Sequence, residues 1–308
     1  MQVIVTGGSG LIGRVLADSL TNDGHEALLL SRAPGGVTNL PDGAEAIYWD
    51  GCTADGWGDL VEGADAVVNL AGSSIAGKGL LDVRWTKDRK RSIYESRINA
   101  GQAVTEAIQT ATNKPKVLIQ SSAIGYYGPQ DSDAAILEDT PPADDFLASL
   151  CVAWEESTEA VETLAVRRVV IRTGVVLSTD GGALPRQILP FRLFAGGPIG
   201  SGEQWYSWIH IADQIAAIRF LLDNEKARGP FNLTAPEPVT NKVFGQALGR
   251  VMKRPAFMPA PAFAFKAAFG EASTVLLDGQ RVLPQRLLDL GFSFQFTEAE
   301  AALRDLLA

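Results

Sequence analysis

The stretch QVIVTGGSGLIGRVLADSL constrains this chain more than any other. The apolar QVIVT reads as a buried strand, and the amphipathic run that starts at Leu11 reads as a helix ending near Gly24. Between them stand three spaced glycines. Gly7 permits a tight turn, Gly10 lets the backbone approach a ligand, and Gly13 lets the helix lie close to the sheet. The helix N-terminus offers unpaired N–H groups, so Ser9, Gly10, Leu11, Ile12 and Gly13 form a cradle suited to a pyrophosphate. A glycine pattern alone says little; with a strand before it and a helix behind it, it reads as a dinucleotide-binding turn.

Apolar strands and helical runs keep alternating afterwards. HEALLLSR, GAEAIYWD, ADAVVNLAG, KPKVLIQSSA and RRVVIRTGVVL read as strands. A long charged helix is expected from Arg84 to Thr110, and another over FLASLCVAWEESTEAVETL. Such alternation implies parallel pairing with right-handed crossovers, hence an α/β chain with a doubly wound parallel Rossmann sheet. After Leu177 the rhythm breaks into Gly/Pro-rich sequence. The reading divides the chain into a dinucleotide-binding domain, 1–224, whose residues 178–210 contribute to a substrate cleft, and a smaller C-terminal α+β lobe, 225–308, that includes FNLTAP.

The end of the second strand selects the dinucleotide. NAD sites place a carboxylate there to accept from the ribose 2′-hydroxyl. Here the end is Ser31–Arg32, with no carboxylate until Asp42. A hydroxyl and a guanidinium can both bind a 2′-phosphate, so NADP is expected.

Composition removes other classes. A net charge of −9 argues against a nucleic-acid or membrane-surface partner. Cys52 and Cys151 stand far apart, and with only His25 and His210 available no metal-ligand cluster forms; no metal is expected. No G-x-S-x-G elbow occurs. QVIVT reads as a core strand from the second residue, so no leader is expected, and no uncharged apolar run reaches the roughly 18 residues of a membrane span. A cytoplasmic protein with a small-molecule substrate is expected.

TGGSGLIG, NLAG, SSAIGYYG and WIHIADQ together resemble the extended short-chain dehydrogenase/reductase superfamily. RWTKDRKRSIYESRI, WEES, LPFRLFAGGPIGSGEQWYSWIHI and GQRVLPQRLLDLGF resemble one atypical branch of it, the epimerase family proteins related to NAD-dependent epimerases and dehydratases, which carry a small C-terminal domain of unassigned role. The resemblance spans essentially the whole chain. It implies that Leu70, Ala71 and Gly72 lie along the cofactor, that Arg97 reaches its phosphate or ribose side, and that Val176 borders the nicotinamide.

The same resemblance fails at the catalytic pattern. Active members use Tyr-x-x-x-Lys with a nearby Ser or Thr, the Lys lowering the phenol pKa. The residues at the Lys spacing behind the five tyrosines are Cys52, Ile98, Gln130, Asp131 and His210. On the helix where the pair belongs stand Cys151 and Glu155, read as a buried cysteine and a surface or capping glutamate. Ser122, with Tyr126 or Tyr127, is then the candidate proton donor. His210 is read as structural or as a donor, and the basic run TKDRKR, with Arg84, Arg186 and Arg192, as a solvated face or an anion patch. The expected function is an NADP(H)-binding oxidoreductase or epimerase acting on a small polar substrate. The alternatives are a non-catalytic NADP(H) sensor that gates a partner interaction, and a nucleotide-sugar epimerase.

Overall fold

A computed structural model describes residues 1–37, 40–77, 83–130 and 132–308. Strand β1 (Gln2–Thr6) leads through the glycine turn into helix α1 (Leu11–Asn22), then β2 (Glu26–Ser31), β3 (Ala44–Tyr48) and β4 (Ala66–Asn69). Val3, Ile4 and Val5 are all fully buried, as a strand covered on both faces requires. Helix α2 (Lys87–Thr110) begins at Thr86, whose side chain accepts from the Arg89 N–H. Strand β5 (Val117–Ala123) and helix α3 (Phe146–Glu156) follow, the latter capped by Asp145. The expected helix through Leu164 stops at Glu156; Glu159–Leu164 is a separate 3₁₀ segment.

RRVVIRTGVVL was expected to be one strand and is two. β6 (Arg167–Thr173) joins the main sheet, and β7 (Val175–Leu177) pairs instead with β9 (Trp208–His210). Gly174 makes the break possible, because a Cβ there would lie 2.6 Å from the Ser207 carbonyl oxygen. Helix α4 (Leu184–Arg192) and the short β8 (Trp205–Tyr206) lie between them in the chain, and α5 (Ile211–Asp223) follows β9.

A second correction concerns the start of the small lobe. Within 225–308, β10 (Gly229–Leu233) pairs in parallel with β6 as an edge strand of the main sheet. The seven-stranded order is β10-β6-β5-β4-β1-β2-β3. The chain thus winds outward from β1 in both directions, and the switch point opens a crevice at the carboxyl ends of β1 and β4. The remaining elements are β11 (Val239–Thr240), α6 (Asn241–Met252), α7 (Ala262–Phe269), α8 (Thr274–Leu277), α9 (Gln285–Asp289) and α10 (Ala299–Leu307).

Two apolar layers cover the sheet. Leu16, Leu20, Ile218 and Leu221 pack on one face together with Leu287 and Phe292 from the chain's last quarter. Trp57, Val104 and Ile108 pack on the other. A third core joins Ile188, Phe244, Leu248 and Leu303 around Trp208. Among the described residues no helix is long and apolar enough to cross a membrane.

Candidate active site

The glycine turn has the geometry its spacing implies. Gly7 adopts φ +66°, and a Cβ there would lie 2.8 Å from the Leu70 carbonyl oxygen. A Cβ on Gly13 would lie 2.7 Å from both the Gly7 carbonyl oxygen and the Gly8 Cα. Gly10 caps α1 in extended conformation and brings no side chain to its first-turn N–H groups. Those donors remain open to an anion, and the residues present fit a bound dinucleotide. Gly8, which the spacing argument passed over, is equally tight: its Cβ would lie 2.6 Å from the Leu29 Cβ.

Asn69 fixes the NLAG turn. Its side chain accepts from the Thr6 hydroxyl at 2.6 Å and donates to Gln120 at 2.8 Å, while Thr6 in turn accepts from the Leu70 and Ala71 N–H groups. Leu70, Ala71 and Gly72 are thereby held beside the glycine turn. At the end of β2 the Ser31 hydroxyl lies 3.5 Å from Ser9 and accepts from the Ala33 N–H. Arg32 is exposed, its stem passing Gly51. On the opposite side, the loop through Gly181 and Gly182 lies against Leu11. Val176 belongs to β7, next to Ile209. Ile12 packs on the apolar layer below.

A cavity of about 420 Å³ opens over the carboxyl ends of β5 and β6, where Ala123, Thr173, Gly174 and Val175 form one side. Trp85, Phe146, Leu150 and Trp154 supply apolar walls, and residues from Glu271 to Gln280 close it from the small lobe.

Cys151, on α3, lines this cavity, with its Sγ 3.6 Å from the Ala123 carbonyl oxygen. Burial, helped by the Glu155 charge, pushes the thiol up to about 11. Glu155 is the neighbour one turn on. It is neither on the surface nor a cap, which corrects the sequence reading: both its oxygens accept from Arg172 of β6, each at 2.9 Å. Its Oε1 also accepts from the Ser122 hydroxyl at 2.6 Å.

Tyr126 and Tyr127 gather around Arg172, and Ser122 bonds to that residue's partner, Glu155. Ser122 is 4 % exposed and its proton is directed to Glu155. The Tyr127 hydroxyl donates to Asn232 at 2.7 Å and accepts from Arg172 at 3.0 Å; burial pushes it up to about 12. The Tyr126 ring stacks on the same guanidinium, 3.5 Å from its centroid. None of the three lines the cavity. The Arg172–Glu155 pair escaped sequence reasoning, because its partners lie on different elements and only the fold brings them together.

His210 is structural here. Its Nδ1 accepts from the Ala212 N–H to cap α5, and its ring stacks on Phe296 at 4.0 Å. Asp213 accepts from the Gln295 and Phe296 N–H groups. Several members of the basic set tie segments together, while Arg91 pairs with Asp88 on its own helix and Arg192 is exposed. Arg84 donates to the Ala267 and Ala268 carbonyls, Arg89 to Ser74, and Arg186 to Ala76 and Gly77, while Lys90 pairs with Glu271 at 2.6 Å. Arg97 differs: it faces the cavity, its guanidinium 4.8 Å from the Trp154 ring centroid.

Sheet order, glycine cradle and cavity define a Rossmann-type dinucleotide-binding protein. Residues 3–234 match the model of the NAD dependent epimerase/dehydratase family, and residues 260–306 match a domain of unknown function, DUF1731. The chain belongs to the NAD-dependent epimerase/dehydratase family. It is 40% identical over 318 residues to epimerase family protein YfhF of Bacillus subtilis, covering 100% of this chain and 98% of that one. Human epimerase family protein SDR39U1, crystallised with NADPH, superposes with a TM-score of 0.88 at 37% identity, covering 100% of this chain and 99% of the other. A nucleoside-diphosphate sugar epimerase from Corynebacterium glutamicum gives a TM-score of 0.78 at 32% identity, over 100% of this chain and 58% of its own length.

Proposed function

We propose that the protein is an NADP(H)-dependent oxidoreductase or epimerase acting on a small molecule held in the cavity over Ala123, Thr173 and Gly174. The observation that carries this reading is the placement of that cavity at the carboxyl ends of β5 and β6, on the side of the sheet switch point where ligands of such folds bind. Gly7, Ser9, Gly10, Leu11, Ile12 and Gly13 hold the pyrophosphate, and Leu70, Ala71 and Gly72 run beside it. Ser31 and Arg32 take a 2′-phosphate, and Val176 borders the nicotinamide. The exposed Arg32, with no carboxylate beside it at the strand end, supports NADP over NAD, as does the NADPH complex of the human relative. The reading carries a cytoplasmic protein with a small-molecule partner and no nucleic-acid or membrane partner.

Bound nicotinamide supplies the hydride chemistry. The chain's own contribution is a proton. With Tyr126 and Tyr127 turned to Arg172 and Ser122 to Glu155, the protic group on the cavity wall at the Tyr position is the Cys151 thiol. A thiol that keeps its proton at neutral pH can still give it to a developing alkoxide. Arg172 neutralises Glu155, so the carboxylate orients Ser122 without adding an unpaired charge.

NADPH deuterated at the transferable C4 position, incubated with protein and a metabolite extract, should label one metabolite. The label should be lost with Arg32→Ala, which weakens NADPH about tenfold while sparing NADH. Absence of label, together with partner binding that depends on cofactor redox state, would replace this reading with the sensor, which the missing Tyr-x-x-x-Lys pair favours. Competition by nucleoside diphosphates would favour the nucleotide-sugar epimerase.

A further inference from the structure

We infer that a surface outside the cavity docks an acidic segment of a partner protein, one that carries apolar side chains among its carboxylates. The surface spans the ends of α4 and α6 and the start of α7, and it does not depend on the reading of the cavity.

Charge marks this surface in the sequence. No Asp or Glu stands between Glu237 and Glu271, whereas Lys242, Arg250, Lys253, Arg254 and Lys266 do. A tract of five cations without an anion is set apart in a chain of net charge −9. At the end of α6 part of the tract lines an open hollow, formed by Gln246, Gly249, Arg250, Lys253, Arg254 and Ala256. Glu300 engages Arg250 at 2.7 Å and Arg304 as well. Lys253 and Arg254 are exposed, and no carboxylate pairs with either among the described residues. The carbonyl end of α6 carries about half a negative charge, which leaves most of their charge unanswered.

Apolar side chains stand on the rim of the hollow. Arg254 lies over the Phe194 ring, 4.5 Å from its centroid, and Phe194 is 59% exposed. The Met258 N–H donates to the Gly196 carbonyl at 3.0 Å and the Ala260 N–H to Pro198 at 2.9 Å. Residues 194–198 and 256–260 therefore run side by side, which brings Leu193 and Phe194 near Phe257 and Met258. Phe263 follows at the start of α7; Phe257 and Phe263 are 75% and 74% exposed. Exposed apolar side chains grouped in this way mark a contact surface. None of them lines the cavity.

Phe194 is also held where its backbone is unfavourable. Its φ is +60°, just past the end of α4, at the place where glycine commonly stops a helix. Left-handed backbone is costly for a bulky side chain. The Phe194 N–H donates to Phe191 and the Ala195 N–H to Pro190, which fixes the turn. Stopping the helix does not require an aromatic ring, yet the ring is there and faces solvent.

Charge also selects the occupant. A second copy joined through the same patch would set like charges against each other. An anionic bilayer is wider than the patch and would press its headgroups against the acidic remainder of the protein. A peptide segment fits within it. Its carboxylates meet Lys253 and Arg254 in the hollow, and its apolar side chains cover Phe194 and Phe257.

The test selects random peptides displayed on phage against the full-length protein with NADPH present, at low salt. The enriched sequences should carry Asp or Glu next to Phe, Leu or Trp. Synthesised and followed by fluorescence anisotropy, such a peptide should bind more weakly as salt rises. Lys253→Glu combined with Arg254→Glu should weaken it about tenfold or more, and so should Phe194→Ser combined with Phe257→Ser. Both variants should keep the NADPH affinity of the wild type, which shows them folded. Enrichment of basic or uncharged peptides, of none at all, or of peptides that bind both variants unchanged overturns the inference. Two further results also overturn it: binding to phosphatidylglycerol vesicles that these variants lose, with no acidic peptide enriched, or a wild-type dimer that Phe194→Ser with Phe257→Ser dissociates.

Discussion

The two ends of the site are built from different materials. Around β1 and α1 the geometry belongs to the backbone: Gly7, Gly8 and Gly13 are close-packed positions where a Cβ would collide. Around β5, α3 and β6 it belongs to side chains, with Ser122 and Arg172 both bonded to Glu155 and Cys151 one turn before it. A backbone site tolerates no exchange, because no side chain can imitate the missing Cβ. A side-chain site can be rebuilt with other groups if the charges still balance, and Arg172 balances Glu155.

That contrast predicts that the two ends fail differently. The largest effect is expected from Glu155→Gln, which leaves Arg172 buried without its partner and should cost about 3–5 kcal/mol of stability. Urea denaturation measures it, and NADPH affinity of the folded fraction should be unchanged. Glu155→Leu combined with Arg172→Met should recover most of the loss, since both charges leave together. Recovery of stability with no catalytic turnover would show the pair to be needed for more than packing.

Gly13→Val tests the other end. Its Cβ would force the turn apart at Gly7 and Gly8, a strain of about 1–3 kcal/mol, so NADPH should bind roughly 10–100-fold more weakly. Urea stability should fall far less than in Glu155→Gln. Equal affinity in Gly13→Val and wild type would place the dinucleotide elsewhere.

The smallest effect concerns a residue outside both ends. Burial lowers the pKa of His210, so the folded protein keeps this imidazole neutral as an unfolded one, near 6.5, takes up its proton. The unfolded state then binds more protons, and stability falls as pH drops below about 6.5. Between pH 7 and 5.5 the loss is at most about 1.4 kcal/mol, the worth of one pKa unit. His210→Asn keeps a cap for α5 and retains the other buried groups, so its stability should decline less over that interval. Parallel pH profiles for the two proteins would remove His210 as the cause.

The same contrast explains what could be read from the sequence. The cradle from Gly7 to Gly13 was legible because the turn demands glycine wherever it occurs. The parallel sheet was legible from apolar runs such as QVIVT and KPKVLIQSSA. FNL was misassigned to the small lobe because its partner β6 lies far upstream and nothing local announces the pairing. The split at Gly174 had the same origin, a close approach by Ser207 from another segment. Ser122, Tyr126 and Tyr127 were legible by position, but their surroundings were not, since Arg172 comes to the two tyrosines from another strand and Glu155 comes to Ser122 from α3. Arg97 was legible as a residue, but only the Trp154 wall shows where it faces.

The Asp213 carboxylate, grasping two consecutive N–H groups near the chain's end, has a mechanical consequence. It works as a rivet. Helix α10 follows directly after it, so the C-terminal segment moves with α5 or leaves a buried carboxylate with no donors, at about 1–3 kcal/mol. Helix α7 contributes no fully buried residue and is tethered from outside, by the Arg84 side chain on its Ala267 and Ala268 carbonyls. Displacing α7 has to break that single side-chain tether, whereas displacing α10 has to strip both donors from Asp213.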